Sequence, residues 1–112
     1  MNIKALEQQA IHNGNYVAKI NIKLHKKDKD KLNKRCEKFR LDRANILRGL
    51  INQYLTSEFV LTSTLGETQG SENVAVRLTA SQYKDLQEKC VKEKRKPTAV
   101  LRTMVIEYLH AV

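Results

Sequence analysis

Apolar and polar residues alternate at two places in the chain, 54 positions apart. Ile20, Ile22 and Leu24 are interleaved with Lys19, Asn21 and Lys23; Val74, Val76 and Leu78 are interleaved with Asn73, Ala75 and Arg77. A period of two predicts a strand with one buried face and one exposed face. After each alternation the period becomes helical. Leu32, Cys36 and Phe39 form one stripe, and Tyr83, Leu86 and Cys90 form another. Thr79 with Gln82 three residues on is a capping-box signature, which starts the second of these helices near Ala80. The corresponding signal around His25 and Asp28 is weaker. Polar breaks at 40–43 and 94–97 end both helices, and Asp42 as an N-cap and Pro97 in a first turn begin the next pair. These last helices carry wide apolar stripes: Ile46, Leu47, Leu50, Ile51, Tyr54 and Leu55, then Val100, Leu101, Met104, Val105, Tyr108 and Leu109.

The two stretches are copies of one unit. A shift of 54 lays residues 20–55 on 74–109 without a gap, with eight identities: Leu24/Leu78, Leu32/Leu86, Cys36/Cys90, Lys38/Lys92, Leu47/Leu101, Arg48/Arg102, Tyr54/Tyr108 and Leu55/Leu109. A unit of about 36 residues is too small to bury so wide a stripe alone, and its lone strand would have two open edges. The expected architecture is therefore mainly α with a two-stranded antiparallel β-ribbon, the two copies interlocking as an intramolecular pseudo-dimer. The expected boundaries are an N-terminal arm at 1–18, a first unit at 19–55, a linker at 56–72 and a second unit at 73–112. Gly66 and Gly70 suggest a flexible linker, while Phe59, Val60, Leu61 and Leu65 are apolar enough for part of it to pack or to form a short strand.

Charge sharpens the picture. The net charge of +9 is concentrated in two blocks, +8 over residues 19–48 and +5 over 73–102, with −3 over 49–72 between them. Such blocks suit a polyanionic partner. A two-stranded ribbon fits the major groove of B-form DNA, where Arg and Lys donate to guanine, Asn pairs with adenine and Ala meets a thymine methyl. Lys19, Asn21, Lys23, Asn73, Ala75 and Arg77 are thus the candidate base-reading residues. The first turns of the last helices, at Arg43, Ala44 and Asn45 and at Thr98 and Ala99, offer backbone N–H groups to phosphate. Cys36 and Cys90 read as buried apolar residues, and with only His12, His25 and His110 scattered along the chain no metal site is expected. No constellation of acid, base or nucleophile suggests an enzyme, and no cofactor is expected. The absence of a long apolar run or a secretion signal points to the cytoplasm rather than a membrane.

The order strand, helix, turn, helix, with polar residues alternating on the strand, resembles the ribbon-helix-helix family of MetJ, Arc and CopG over 19–55 and 73–109. Two units in one chain resemble the TraY type of conjugative plasmid transfer. Two positions depart from the family pattern: Arg40 and Lys94 occupy the inter-helix turns where Gly is common, and Ala44 and Thr98 stand where Ser is common. The resemblance implies base reading by the outward strand residues and phosphate clamping by the second helix of each unit. Two roles in DNA binding remain open, a transcriptional repressor and an origin-binding accessory protein of a plasmid or other mobile element. An antitoxin-like protein-interaction module is the alternative from another class. Because the two strands differ, the expected partner is double-stranded DNA with an asymmetric subsite, repeated so that molecules bind side by side.

Overall fold

Strand β1 (Tyr16–Leu24) and strand β2 (Glu72–Thr79) pair antiparallel as a two-stranded sheet, in a chain that is otherwise mainly helical. The computed structural model describes residues 1–7, 15–64, 70 and 72–112. Along the chain come α1 (Ile3–Glu7), β1, α2 (Lys26–Phe39), α3 (Arg43–Leu55), β2, α4 (Ala80–Lys92) and α5 (Pro97–Ala111). The register sets Lys19 against Arg77, Asn21 against Ala75 and Lys23 against Asn73. Asn21 and Ala75, which face each other, are equivalents under the 54-residue shift.

The alternation in the sequence is the alternation in space. Ile20, Ile22, Leu24, Val74, Val76 and Leu78 are buried, while Lys19, Asn21, Lys23, Asn73 and Arg77 are exposed and Ala75 is half-buried. The buried strand face rests on one core with Leu32, Cys36, Leu86 and Cys90 from the first helices and the wide stripes of α3 and α5. Burial pushes the thiols of Cys36 and Cys90 up, so both remain neutral packing groups.

Local chemistry explains the helix ends. Thr79 and Gln82 form the capping box at the start of α4, Asp42 caps α3 by accepting from the Asn45 N–H at 3.1 Å, and Pro97 opens α5. His25 precedes α2 without a side-chain capping bond, in keeping with its weaker start signal. Both inter-helix turns pass through the left-handed region at a non-glycine residue, Arg40 at φ 53° and Lys94 at φ 57°. These are the two positions where the family pattern has Gly, and an L side chain there costs about 1–2 kcal/mol.

Several expectations change. The first strand begins at Tyr16, so three residues assigned to the arm belong to the ribbon. A bulge between Tyr16 and Ala18 accompanies the extension. The arm also contains the short helix α1, whose Leu6 is 2% exposed. Phe39 is 51% exposed rather than part of the buried stripe. It is the last residue of α2, where the chain swings into the left-handed turn at Arg40, and its ring lies under the Arg35 guanidinium at 4.6 Å. In the linker, Phe59 and Leu61 are buried while Val60 is exposed. No strand forms over 59–64, Glu72 at the end of the expected linker already belongs to β2, and Leu65 and Gly66 lie outside the described residues. The described end of the linker argues against simple flexibility as the role of Gly70. A Cβ on Gly70 would collide with the Leu24 carbonyl and the His25 nitrogen, so close backbone approach requires glycine there. Among the described residues no helix is long and apolar enough to cross a membrane.

Candidate nucleic-acid interface

The outward face of the ribbon brings together residues from two distant basic blocks. Lys19 and Arg77 are directly opposed, Asn21 faces Ala75 and Lys23 faces Asn73. All six sit on one narrow surface because strand side chains on one face recur every second residue. Like charges directly opposite one another on a sheet are destabilising. Among the described residues no ion pair or side-chain hydrogen bond engages Lys19, Lys23 or Arg77. Three exposed cations and two exposed Asn amides therefore point outward without internal partners, unlike Arg35, which Glu7 holds at 2.8 Å.

The ribbon is held from behind by a pair of equivalent arginines. Arg48 of α3 donates from Nη1 to the Arg77 carbonyl at 3.1 Å, and Arg102 of α5 donates from Nε to the Lys23 carbonyl at 3.2 Å. Each arginine thus grips the strand of the other copy, at equivalent positions. Arg48 makes two further contacts: its Nη2 donates to Asn45 Oδ1 at 2.7 Å, and its guanidinium stacks on the Tyr16 ring at 4.2 Å. The sequence carried a signal for this clamp. Arg48 and Arg102 are the one arginine pair identical between copies, at a polar position among apolar matches.

These contacts also locate the second candidate element. Arg48 and Arg102 lie in the second turns of α3 and α5, so the first turns of both helices lie close to the ribbon. The two first turns are chemically different. At α3, the N–H of Asn45 is taken by Asp42, and Asn45 is buried with its Oδ1 engaged by Arg48. Arg43 donates to Asn33 Oδ1 at 2.9 Å, and the Asp42 carboxylate stands at the helix start. A carboxylate at an N-cap competes with a phosphate for the same donors and repels it. At α5 the N-cap is Lys96, without a side-chain capping bond, and the exposed Thr98 and half-buried Ala99 follow Pro97. A helix start whose N–H groups no side chain caps favours an anion. Of the phosphate candidates, Thr98 and Ala99 are thus better disposed than Arg43, Ala44 and Asn45.

Away from the ribbon, two equivalent tyrosines are tied to carboxylates from unrelated places. The Tyr54 hydroxyl donates to Glu93, while the Tyr108 hydroxyl donates to Glu7 of α1 at 2.9 Å. Burial, followed by the bond to Glu93, raises the Tyr54 hydroxyl well above its usual range. Burial pushes Tyr108 up to about 12. Arg35, bonded to Glu7 at 3.0 and 2.8 Å, holds that carboxyl below the usual carboxylate range. These bonds tie α3 to the start of the α4–α5 turn and α5 to α1. Among the described residues no cluster of three or more His, Cys, Asp or Glu is arranged to hold a metal.

Comparison with protein-family models, curated proteins and solved structures returns no match. The functional reading therefore stands on the ribbon and its surroundings.

Proposed function

We propose that this chain binds double-stranded DNA sequence-specifically as a tandem ribbon-helix-helix pseudo-dimer, laying the β1–β2 ribbon in the major groove. The observation that carries the reading is the uncompensated Lys19–Arg77 pair toward one end of a solvent-facing ribbon. Opposed cations cost the free protein stability, and guanine O6 and N7 in the major groove supply the acceptors they lack. Asn21 and Asn73 have the donor–acceptor edge that pairs with adenine, and Ala75 offers a methyl group to thymine. Thr98 and Ala99 of α5 fix the register by contact with phosphate, and the first turn of α3 contributes less. Lys23 stands opposite Asn73, whereas its equivalent Arg77 stands opposite Lys19, so the two ends of the ribbon read different bases.

Bound in this way, the protein excludes other proteins from its site, which suits a repressor at a promoter. The same binding marks an origin of a mobile element for its processing machinery. A protein-interaction role through the arm finds less support, because Leu6 and Glu7 are packed onto the rest of the chain.

Selection from a random duplex library tests the proposal. One asymmetric consensus is expected, bound far more tightly than bulk DNA, with affinity falling as salt rises. Arg77→Ala and Lys23→Ala should each cost about 1–3 kcal/mol and relax preference at one position. Equal weakening on every sequence would reassign the residue to phosphate contact, and failure to enrich any sequence would reject base reading.

A further inference from the structure

The ribbon's outward face has a seventh member that its charge pattern does not announce. Val17 is 58% exposed and in phase with Lys19, Asn21 and Lys23 on β1. It is also the extra residue of the bulge: Tyr16 pairs with Thr79 and Ala18 with Leu78, so β1 spends two steps where β2 spends one. Bulges re-aim side chains and are enriched beside functional sites. This one is pinned, because Tyr16 stacks on Arg48, which in turn grips the Arg77 carbonyl and Asn45. An apolar β-branched side chain is thereby held rigidly in solvent beside the Lys19–Arg77 pair.

We propose that Val17 is a further specificity-determining residue, contacting the C5-methyl of a thymine at one edge of the DNA site. The inference rests on the major-groove reading above. The thymine methyl is the one apolar group that a base pair presents in that groove, and it is the natural partner for an exposed isopropyl group held among cations. Val17 lies two residues from Lys19, about 7 Å along the strand, or roughly two base-pair steps. The position equivalent to Val17 in the second copy is Ser71, whose hydroxyl lacks this apolar surface. Methyl reading by a valine therefore belongs to one end of the site, and it orients the protein on the DNA.

Replacing thymines of the selected site one at a time by deoxyuridine removes the methyl and leaves base pairing intact. The wild-type chain should lose about fourfold in affinity at one edge position, the factor for returning one methyl group to water. Val17→Ala should bind the thymine site more weakly and show no further loss with uridine at that position. A central thymine read by Ala75 would lose affinity equally with both proteins. If no position distinguishes wild type from Val17→Ala while binding stays sequence-selective, the role of Val17 is overturned and the ribbon reading stands. If wild type selects no sequence at all, both fall. Thermal melting of Val17→Ala confirms that it is folded, and the uridine scan of the wild-type chain needs no variant.

Discussion

Arg40 and Lys94 show how much a single backbone position decides. The sequence marks both as departures from glycine, but only the dihedral angles show that each sits in the left-handed region where glycine is free of strain. Arg40→Gly and Lys94→Gly should each raise stability by up to about 1 kcal/mol, the relief of strain less the greater freedom glycine has when unfolded. Urea unfolding midpoints check this. The ribbon predicts an opposite pairing of effects. Lys19→Gln removes one of two opposed cations, so stability should hold or rise by a few tenths of a kcal/mol while affinity for the DNA site falls. A fall in both would show that Lys19 serves the fold. Phe39 marks the limit of stripe arithmetic, since periodicity identifies a face but not the point where the helix leaves the core.

Strands and long helices were legible because each carries its own period and its own end signals, as Thr79–Gln82, Asp42 and Pro97 illustrate. The five-residue α1 was not. A helix so short has no repeating stripe and no stability of its own, and it exists through what it touches. Its anchors are Leu6 in the core, Glu7 on Arg35 and Tyr108, and a reciprocal pair in which Asn2 donates to Gln53 Oε1 at 2.9 Å and Gln53 Nε2 donates to the Asn2 carbonyl at 2.8 Å. Glu7→Gln should cost about 1.5–3 kcal/mol at neutral pH, the range for hydrogen bonds to a charged group. Because Arg35 lowers the Glu7 pKa in the folded chain, this contribution is fully present above the ordinary carboxylate value. It is lost as pH falls through the lowered one. The difference between wild type and Glu7→Gln should therefore shrink below about pH 4, and a constant difference would contradict the pairing. The strand extension through Tyr16 and Val17 was missed for a related reason: the bulge interrupts the two-residue pairing there, and the stacking of Tyr16 on Arg48 is a tertiary contact.

At the scale of the molecule, the expected two-stranded antiparallel sheet forms between β1 and β2, and α3 packs against both β2 and α5. The intact chain should unfold in one transition whose midpoint does not depend on concentration. A protease site introduced at 62–64 and cut should leave two pieces that stay folded together, with a midpoint that now rises with concentration. What the repeat could not convey is where its symmetry fails. Asp42 against Lys96 at the helix starts, Glu7 against Glu93 at the tyrosines, and the Tyr16–Val17 bulge on one strand alone make the two ends chemically unlike. The most direct measurement of the central claim is methylation interference at guanine N7, an atom exposed only in the major groove, on the selected duplex. Methylating the one or two guanines facing Lys19, Lys23 and Arg77 should abolish binding, and guanines outside the site should be indifferent. Undiminished binding to fully N7-methylated DNA would contradict a ribbon in the major groove.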